Sequence, residues 1–281
     1  MKFWKMNGAG NDFLVLNNLE ERLSAECFPL LARRLCERHQ SIGADGLMVV
    51  DAPTMGGDYK MRFFNSDGSE GEMCGNGARC ICRYGYENGL AGKTQRVETT
   101  AGLVTGERIN ERLYRIRLND VTTMRLRSSV EVDGVTYDCS YVELGSPGLP
   151  HAVVPYANLR MANEEELRAL GRAIRWNEAF PKGANVNFFE LTGEDEIYER
   201  TFERGVEDFT YACGTGTGSV VAVLTMQGRV SGHHVRVNMR GGQLIIDAQR
   251  LGSRITDLYL TGPTNIVCKG EVTDEDLCFA K

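Results

Sequence analysis

Two cysteine motifs carry the residue types best suited to chemistry. Cys74 stands in Met-Cys-Gly-Asn-Gly-Ala-Arg and Cys213 in Ala-Cys-Gly-Thr-Gly. In both, glycines bare the backbone where a helix is predicted to begin, which places the sulfur beside unpaired N–H groups and the positive end of the helix dipole. Such surroundings lower a thiol pKa from about 8.5 to roughly 3.5–7.5. The motifs therefore predict two readily ionised thiols that perform acid–base chemistry on a carboxylate-bearing substrate.

An internal repeat supports this catalytic interpretation over a purely structural one. Either motif alone is equally well explained as a glycine-rich turn around a buried structural cysteine, because free Cys is among the most buried residue types. However, several positions recur at an offset of 140 residues, or 139 (213 − 74) for the cysteines. The matching pairs are Asn11 with His151, Gly43 with Gly183, Cys74 with Cys213, and Gly102 with Gly242. Two copies packed about an approximate two-fold axis would place the cysteines at one cleft.

Each copy is predicted to run strand, loop, cysteine motif, helix. Strands at residues 60–64 and 197–202 lead into the motifs, and helices at residues 75–88 and 214–226 follow them. Asn163 with Glu166 forms a capping box before a further helix. The pattern predicts an α+β fold of two equivalent halves, each made of strands around one buried helix, divided near residues 119–122.

Composition limits the function classes. The chain has 281 residues, 42% of them hydrophobic and 25% charged, and a net charge of −6. An acidic protein with scattered basic residues is a poor binder of nucleic acid or anionic membranes. No apolar run approaches the ~20 residues of a membrane span, and residues 1–13 lack the apolar core of a signal peptide. We expect a cytoplasmic protein without nucleic-acid or membrane partners.

The cysteine pattern predicts neither a disulfide framework nor a metal centre. Nine cysteines are an odd number in a chain without an export signal. The spacing of Cys74, Cys80 and Cys82 matches no common zinc pattern, and the latter two fit packing positions in the predicted helix. No pyridoxal lysine motif is evident. We therefore expect neither a metal nor another cofactor.

Five segments together resemble a known family. They are Gly-Ala-Gly-Asn-Asp-Phe at 8–13, Asn-Ser-Asp-Gly-Ser-Glu at 65–70, the motif at 73–79, Glu-Arg-Gly at 203–205, and Ala-Cys-Gly-Thr-Gly at 212–216. In order and across nearly the whole chain, they resemble the diaminopimelate epimerase family. The resemblance implies two pseudo-symmetric domains, each a mixed sheet or barrel wrapped around a central helix. The first would comprise residues 1–119 with about 268–281, and the second residues 120–267.

The resemblance also implies a function and a set of site residues. The expected activity is cofactor-independent interconversion of LL- and meso-diaminopimelate, in lysine and cell-wall precursor biosynthesis, by a homodimer. Cys74 and Cys213 would be catalytic, with His151 and Glu203 as supporting acid–base groups. The expected substrate-binding residues are Asn11, Asn65, Gly75, Asn76, Asn185, Glu203, Arg204, Gly214 and Thr215. The structural alternatives are Asx-turn asparagines, a solvated Glu203–Arg204 ion pair and a structural histidine.

Acid–base chemistry fits these parts independently of the resemblance. Inverting a stereocentre requires removing a proton from one face and supplying one to the other, which two opposed thiols, one ionised and one protonated, can do. Backbone N–H groups at the helix starts would stabilise the charge that develops on the substrate carboxylate.

One departure from the family pattern leaves the identity of the substrate open. Where the family usually has Asn-Pro-His, this chain reads Gly-Ser-Pro-Gly-Leu-Pro-His at residues 145–151. The missing asparagine belongs to recognition of the distal end of the substrate, so a racemase of another amino acid is the first alternative. A thiol–disulfide switch protein using Cys74 and Cys213 is an alternative of a different class.

Overall fold

The computed structural model describes residues 1–71, 74–275 and 277, and the chain forms two compact units. The first unit contains residues 1–116 and 262–281, and the second contains residues 117–261. The sequence-based limits were 1–119 with 268–281, and 120–267. Residues 262–267 fall in the first unit because the strand that starts at Asn265 pairs with the N-terminal strand. Met73 of the first motif and residues 276 and 278–281 of the expected C-terminal return lie outside the described residues.

The first unit combines a mixed sheet with three helices. Its strands are β1 (Lys2–Gly8), β2 (Asn11–Asn17), β3 (Gly46–Asp51), β4 (Tyr59–Asn65), β5 (Glu70–Gly71), β6 (Thr94–Thr99), β7 (Gly102–Arg108), β8 (Leu113–Arg117) and the late strand β18 (Asn265–Glu271). Its helices are α1 (Asn18–Glu21), α2 (Phe28–Leu35) and α3 (Gly75–Glu87). Helix α3 starts where the sequence predicted, and Asn88 is its C-cap.

The second unit is built in the same way. Its strands are β9 (Val121–Val132), β10 (Val135–Leu144), β11 (Leu149–Pro155), β12 (Asn185–Gly193), β13 (Glu196–Glu203), β14 (Asp208–Phe209), β15 (Val235–Met239), β16 (Gly242–Leu251) and β17 (Arg254–Pro263). Its helices are α4 (Glu164–Arg175) and α5 (Gly214–Met226). The Asn163 side chain caps α4 by accepting from the backbone N–H groups of Glu165 and Glu166 at 2.9 and 3.3 Å.

The two units repeat one topology. The first sheet has the order β18-β1-β2-β3-β4-β6-β7-β8, and the second has the order β9-β10-β11-β12-β13-β15-β16-β17. The parallel pairs are β2–β3 and β4–β6 in the first, and β11–β12 and β13–β15 in the second. This confirms the pseudo-symmetric halves predicted from the offset between the cysteine motifs. The C-terminal strand β18 takes the place that β9 holds in the second sheet.

A buried helix lies at the centre of each unit. Residues 75–85 of α3 are all buried, and α3 packs against β1, β2 and β7. Helix α5, rich in Val, Thr and Gly, packs against β10, β11, β12 and β16. Gly8 permits the close approach of β1 to α3, since a Cβ there would meet the Asn76 carbonyl oxygen and Cys80 Sγ at 3.0 Å. Each central helix is therefore fixed, and with it the residue that starts it.

Candidate active site

Both predicted cysteines stand immediately before a central helix. Cys74 precedes α3 with φ −112° and ψ 123°, and Cys213 precedes α5 with φ −119° and ψ 105°. The thiols thus hold equivalent extended N-cap positions in the two units, with the predicted donor residues Gly75, Gly214 and Thr215 in the first helical turns. The Gly216 N–H donates to Cys213 Sγ at 3.4 Å, and the Thr215 hydroxyl lies 3.6 Å from the same sulfur. This sulfur takes the place of the oxygen that usually caps a helix.

The structure corrects the expected acidity of Cys213. The prediction that this thiol ionises readily is wrong, because burial raises its pKa well above the ordinary value and the neighbouring Glu203 carboxyl raises it further. The hydrogen bonds from Thr215 and Gly216 act in the opposite direction without outweighing these two effects. Burial also raises the pKa of Glu203. Cys213 therefore keeps its proton at neutral pH and is suited to start as a proton donor.

A chain of amide hydrogen bonds joins the predicted residues Asn76 and Asn11 in the first unit. Asn76 Nδ2 donates to Asn11 Oδ1 at 2.6 Å, and Asn11 Nδ2 donates to Asp45 Oδ2 at 3.1 Å. From inside α3, Arg79 Nη2 donates to Asn76 Oδ1 at 2.8 Å, although this guanidinium is fully buried. Both amides are thus held in fixed orientations next to the helix that Cys74 starts.

A cluster of charged residues that the sequence analysis did not assign to the site supports this chain of amides. Arg38 Nη2 lies 2.7 Å from both Asp12 Oδ1 and Asp45 Oδ1, and Lys5 Nζ lies 3.0 Å from Asp12. Burial alone would raise the pKa of Asp12, but the hydrogen bonds from Arg38 and Lys5 bring it below its ordinary value. The repeat held a signal for Asp45, since it stands 140 residues before Asn185 (185 − 45).

Asn65 ends β4 and makes local contacts. Its backbone N–H donates to the Ser69 carbonyl at 2.9 Å, and its Nδ2 donates to Ser69 Oγ at 3.0 Å. Asp67 Oδ1 in turn accepts from the Ser69 N–H at 2.8 Å. The predicted Asn-Ser-Asp-Gly-Ser segment is therefore a self-bonded turn that presents the Asn65 side chain at the end of a strand.

In the second unit, Asn185 joins two segments of the predicted site. Its Oδ1 accepts from the Arg204 backbone N–H at 2.8 Å, and its Nδ2 donates to the Pro150 carbonyl at 3.2 Å. Arg204 Nη1 donates to the Lys182 carbonyl at 3.1 Å, while the Arg204 side chain remains exposed. Asn185 thus fixes the Glu203–Arg204 turn relative to the residue that precedes His151.

His151 is fully buried and uncharged at neutral pH. Burial is the main cause that lowers its pKa to about 3. Its Nδ1 lies 3.3 Å from Asn187 Nδ2, and its Nε2 has no hydrogen-bond partner among the described residues. Asn187 was not predicted as a site residue, because a single asparagine inside an apolar strand carries no signal of its own.

The loop at residues 145–149, which carries the unusual Gly-Ser-Pro-Gly-Leu sequence, packs on the buried carboxylate of Glu143. Glu143 accepts from the Tyr141 hydroxyl at 2.5 Å and from Lys182 Nζ at 3.0 Å. A Cβ at Gly148 would approach Glu143 Oε2 to 2.2 Å, so a glycine is required there. The loop is therefore held by Glu143, which pairs with the same Lys182 whose carbonyl contacts Arg204.

The remaining cysteines differ sharply from one another in exposure. Burial raises the pKa of Cys36, Cys80 and Cys82 to about 12 and that of Cys139 to about 11. Cys80 and Cys82 are fully buried, as predicted for packing residues. Across the described ranges, no cluster of His, Cys, Asp and Glu has the geometry of a metal site.

Alkylation should follow this difference in exposure. In native protein at pH 7.5, we expect iodoacetamide to modify the exposed Cys268 and the half-buried Cys74, and to leave Cys36, Cys80 and Cys139 unmodified, because only accessible thiolate reacts. Timed peptide mass mapping with parallel activity assays measures this. Activity should decline with labelling at Cys74 and not at Cys268. Early labelling of the three buried thiols would contradict the burial described above.

No helix in the described part of the chain combines the length and apolar character needed to cross a bilayer.

A sequence model of the family described as Diaminopimelate epimerase matches residues 3–116 and 145–267. These stretches contain both cysteine motifs and the loop at residues 145–149, and they leave out the whole of β9 and β10.

Curated relatives match over nearly their full length. The diaminopimelate epimerase of Aquifex aeolicus is 39% identical, covering 99% of each chain. That of Caldanaerobacter subterraneus subsp. tengcongensis is 37% identical, covering 97% of this chain and 99% of its own. Among solved structures, a hydroxyproline epimerase from Agrobacterium vitis has a TM-score of 0.68 at 17% identity, covering 97% of this chain and 90% of its own. At such low identity, the structural likeness describes the fold alone.

Proposed function

The chain belongs to the diaminopimelate epimerase family, and from this premise we propose that it is an isomerase that interconverts LL- and meso-diaminopimelate without a cofactor. This reaction would serve lysine and cell-wall precursor biosynthesis in the cytoplasm. By family resemblance, the working form is a homodimer. The observation that carries the proposal is the placement of Cys74 and Cys213 at equivalent helix N-caps of two units that share one topology.

The proposed reaction is a proton exchange between two thiols. The Cys74 thiolate takes the α-proton from one face of the substrate carbon, and the electron pair left behind spreads into the α-carboxylate. Cys213 then gives its S–H proton to the opposite face, so a thiol and a thiolate have exchanged roles. The raised pKa of Cys213 supports its assignment as the initial acid. After giving up its proton, the same group is a strong base for the reverse reaction.

The helix starts supply electrostatic stabilisation. Helices α3 and α5 begin at Gly75 and Gly214, and the first N–H groups of an α-helix lie at the positive end of its dipole. We assign the N–H groups near Gly75, Asn76, Gly214 and Thr215 to the α-carboxylate, where charge develops in the transition state. Removing one such preorganised donor typically costs on the order of 10²–10³ in rate.

The remaining predicted residues are assigned to the distal end and to orientation. Arg204 pairs with the distal carboxylate, which suits the planar fork of an exposed guanidinium. Glu203 meets the distal ammonium or assists Cys213, the thiol beside it. Asn11, Asn65 and Asn185 hydrogen-bond the substrate through amides whose orientations are fixed in part by Asp45, Ser69 and Pro150.

A chiral assay tests the proposal. Purified protein is incubated separately with LL- and meso-diaminopimelate in heavy water, alongside single enantiomers of proline, glutamate, lysine and alanine, and the products are resolved by chiral chromatography and mass spectrometry. We expect each diaminopimelate isomer to yield the other, carrying one deuterium at the inverted centre from the first turnover. EDTA or hydroxylamine should leave the rate unchanged.

The same assay separates the alternatives. Inversion of another amino acid with no turnover of diaminopimelate would replace the proposal by a racemase, an outcome that the loop at residues 145–149 would explain. An absence of turnover with every substrate, together with a reversible Cys74–Cys213 disulfide in peptide maps, would favour the thiol–disulfide switch.

A further inference from the structure

A row of buried polar side chains crosses the second unit between β13, β12 and β11 and has a branch to α5. We call it the Glu199 relay. Its members are Glu199, Thr201, Asn187, His151 and, on the branch, Thr217. Register fixes the row, since Asn187 lies opposite Thr201 in the β12–β13 pair. The side chain of Thr217 reaches the Cys213 carbonyl at 2.8 Å.

The relay is almost completely inaccessible to water. His151, Asn187 and Thr217 are 0% exposed, and Glu199 and Thr201 are 2% and 4% exposed. Glu199 makes no ion pair with any described Lys or Arg. An isolated carboxylate in such a site carries a large desolvation cost, so a buried carboxyl without a cation is held in its neutral form.

Hydrogen-bond accounting leads to the same protonation state. Four contacts join the row: Thr201 to Asn187 Oδ1 at 3.0 Å, Thr201 to Glu199 Oε1 at 3.2 Å, Thr217 to Glu199 Oε2 at 2.8 Å, and Thr217 to the Cys213 carbonyl at 2.8 Å. Each hydroxyl has one proton, so an ionised Glu199 leaves two protons for four contacts. A proton on Glu199 makes three contacts possible. The neutral acid therefore completes the row better than the carboxylate.

The orientation of Asn187 follows from a contact at each end of its amide, with the Thr201 hydroxyl at Oδ1 and the Ala152 carbonyl at Nδ2. Asn187 Nδ2 donates to the Ala152 carbonyl at 3.0 Å, so turning the amide over would place two acceptor oxygens together. With Nδ2 on this side, His151 Nδ1 at 3.3 Å must be an acceptor. A neutral imidazole whose Nδ1 accepts carries its proton on Nε2. The Nε2–H group is buried and has no partner among the described residues, so it is available to donate.

We propose that neutral Glu199 is a positioning residue, which holds His151 as the Nε2–H tautomer through Thr201 and Asn187, and holds the Cys213 N-cap through Thr217. This inference rests on the proposed epimerisation, because it assigns His151 the role of a fixed neutral hydrogen-bond donor beside the reaction and not that of a base. Glu199 itself touches neither the substrate nor the reacting atoms.

Ionisation of Glu199 sets an upper pH limit for the reaction. Burial raises the pKa of Glu199 to about 8, and the charge of Glu203 on the same strand contributes. The other titratable groups nearby are His151, which is neutral throughout this range, and Cys213 on α5, whose pKa is raised. Arg200 and Arg240 line a small space beside Glu199, but both are paired with Glu164. Above about pH 8 the relay loses a proton, and with it one hydrogen bond.

Two variants of Glu199 and one control on the same strand test this role. Glu199→Leu keeps the side-chain volume approximately and removes the two carboxyl oxygens that contact the hydroxyls of Thr201 and Thr217. We therefore expect kcat to fall about 10–100-fold with KM nearly unchanged. Glu199→Gln retains a donor and an acceptor, so it should restore kcat at pH 7 and move the alkaline limb upward by about one pH unit or more. Glu196→Gln, which alters an exposed pair with Arg236, should match wild type at every pH. Equal pH profiles for Glu199→Gln and wild type would overturn the proposal.

A spectroscopic measurement tests the relay without reference to turnover. In protein labelled with ¹⁵N-histidine, the signals of His151 are assigned by comparison with His151→Gln among the four histidines. We expect the Nε2–H tautomer in wild type and Glu199→Gln at pH 7, and a mixture of tautomers in Thr201→Val. An Nδ1–H tautomer or a charged His151 in wild type would refute the inference. This result stands even if diaminopimelate proves to be the wrong substrate.

Discussion

Replacing Cys213 by alanine should lower the rate of diaminopimelate inversion by about 10²–10⁴-fold, the usual contribution of a general acid or base. Without this thiol, the carbanion formed by Cys74 has no proton donor on its second face. In heavy water the variant should still wash out the α-hydrogen of one isomer without inverting it. Cys74→Ala should show the same loss with exchange from the opposite isomer. Initial rates and deuterium incorporation for both isomers measure these effects.

Cys268→Ala is the matched control, because Cys268 is an exposed thiol outside both motifs. It should retain wild-type inversion and exchange. Near wild-type inversion in both Cys74→Ala and Cys213→Ala would exclude the two-thiol reaction, whatever substrate the protein uses. Loss of inversion and exchange together in both variants would instead indicate that the thiols act as one unit and not from separate faces.

The joint contribution of His151 and Glu199 to the stability of the second unit should have a plateau between about pH 4.5 and 6.5, with a decline on each side. The folded-state pKa of His151 is lowered from 6.5 to about 3, so its stabilising contribution is complete above pH 6.5 and is lost as pH falls toward 3. The folded-state pKa of Glu199 is raised from 4.5 to about 8, so its contribution is complete below pH 4.5 and is lost as pH rises toward 8. Between pH 4.5 and 6.5 the two slopes cancel.

The expected size of each decline follows from the uptake or release of one proton per group on unfolding. A slope of about 1.4 kcal/mol per pH unit acts over roughly 1.5 units on each side of the plateau, so these two groups lower the free energy of unfolding by about 2 kcal/mol at pH 3 and at pH 8. Urea unfolding can be followed by Trp176 fluorescence in a Trp4→Phe background, because the chain has only two tryptophans. That leaves the probe in the second unit.

Variants separate the two limbs of this profile. Glu199→Gln should remove the contribution of Glu199 to the decline between pH 6.5 and 8, and His151→Gln should remove the contribution of His151 to the decline between pH 4.5 and 3. Taking each variant minus wild type removes the contribution of all other carboxyl groups. A flat difference for Glu199→Gln across pH 4.5–8 would mean that Glu199 is ionised in the folded protein.

The sequence predicted those parts of the fold that depend on local patterns. The starts of α3 and α5 are marked by glycines after Cys74 and Cys213, and the start of α4 by a capping residue. The repeat predicted the common topology because both copies kept these markers. Strands β9 and β10 were missed although Asp133-Gly134, a typical two-residue hairpin turn, stands between them, because residues 121–132 bear mostly polar side chains and only Val130 among them is buried.

The Glu199 relay was beyond prediction for a different reason. Its members come from three strands and a helix, and only the parallel β11–β12 and antiparallel β12–β13 registers bring them together. Glu199 and Asn187 each lie in a stretch of ordinary strand sequence. The acidity of Cys213 was mispredicted on similar grounds, because a helix start is visible in the sequence while burial beside Glu203 is a property of the packed unit.

The position of β18 sets the order in which the molecule can be completed during synthesis. Residues 117–261 form the second unit from one continuous stretch of chain, whereas the first sheet receives its edge strand from residues 265–271, which pair with β1. As the ribosome elongates the chain from the N-terminus, the second unit has all its strands while β1 is paired with β2 alone and still lacks its second partner, β18. The half that carries Cys213 is therefore the first to be structurally complete, and the half that carries Cys74 closes last.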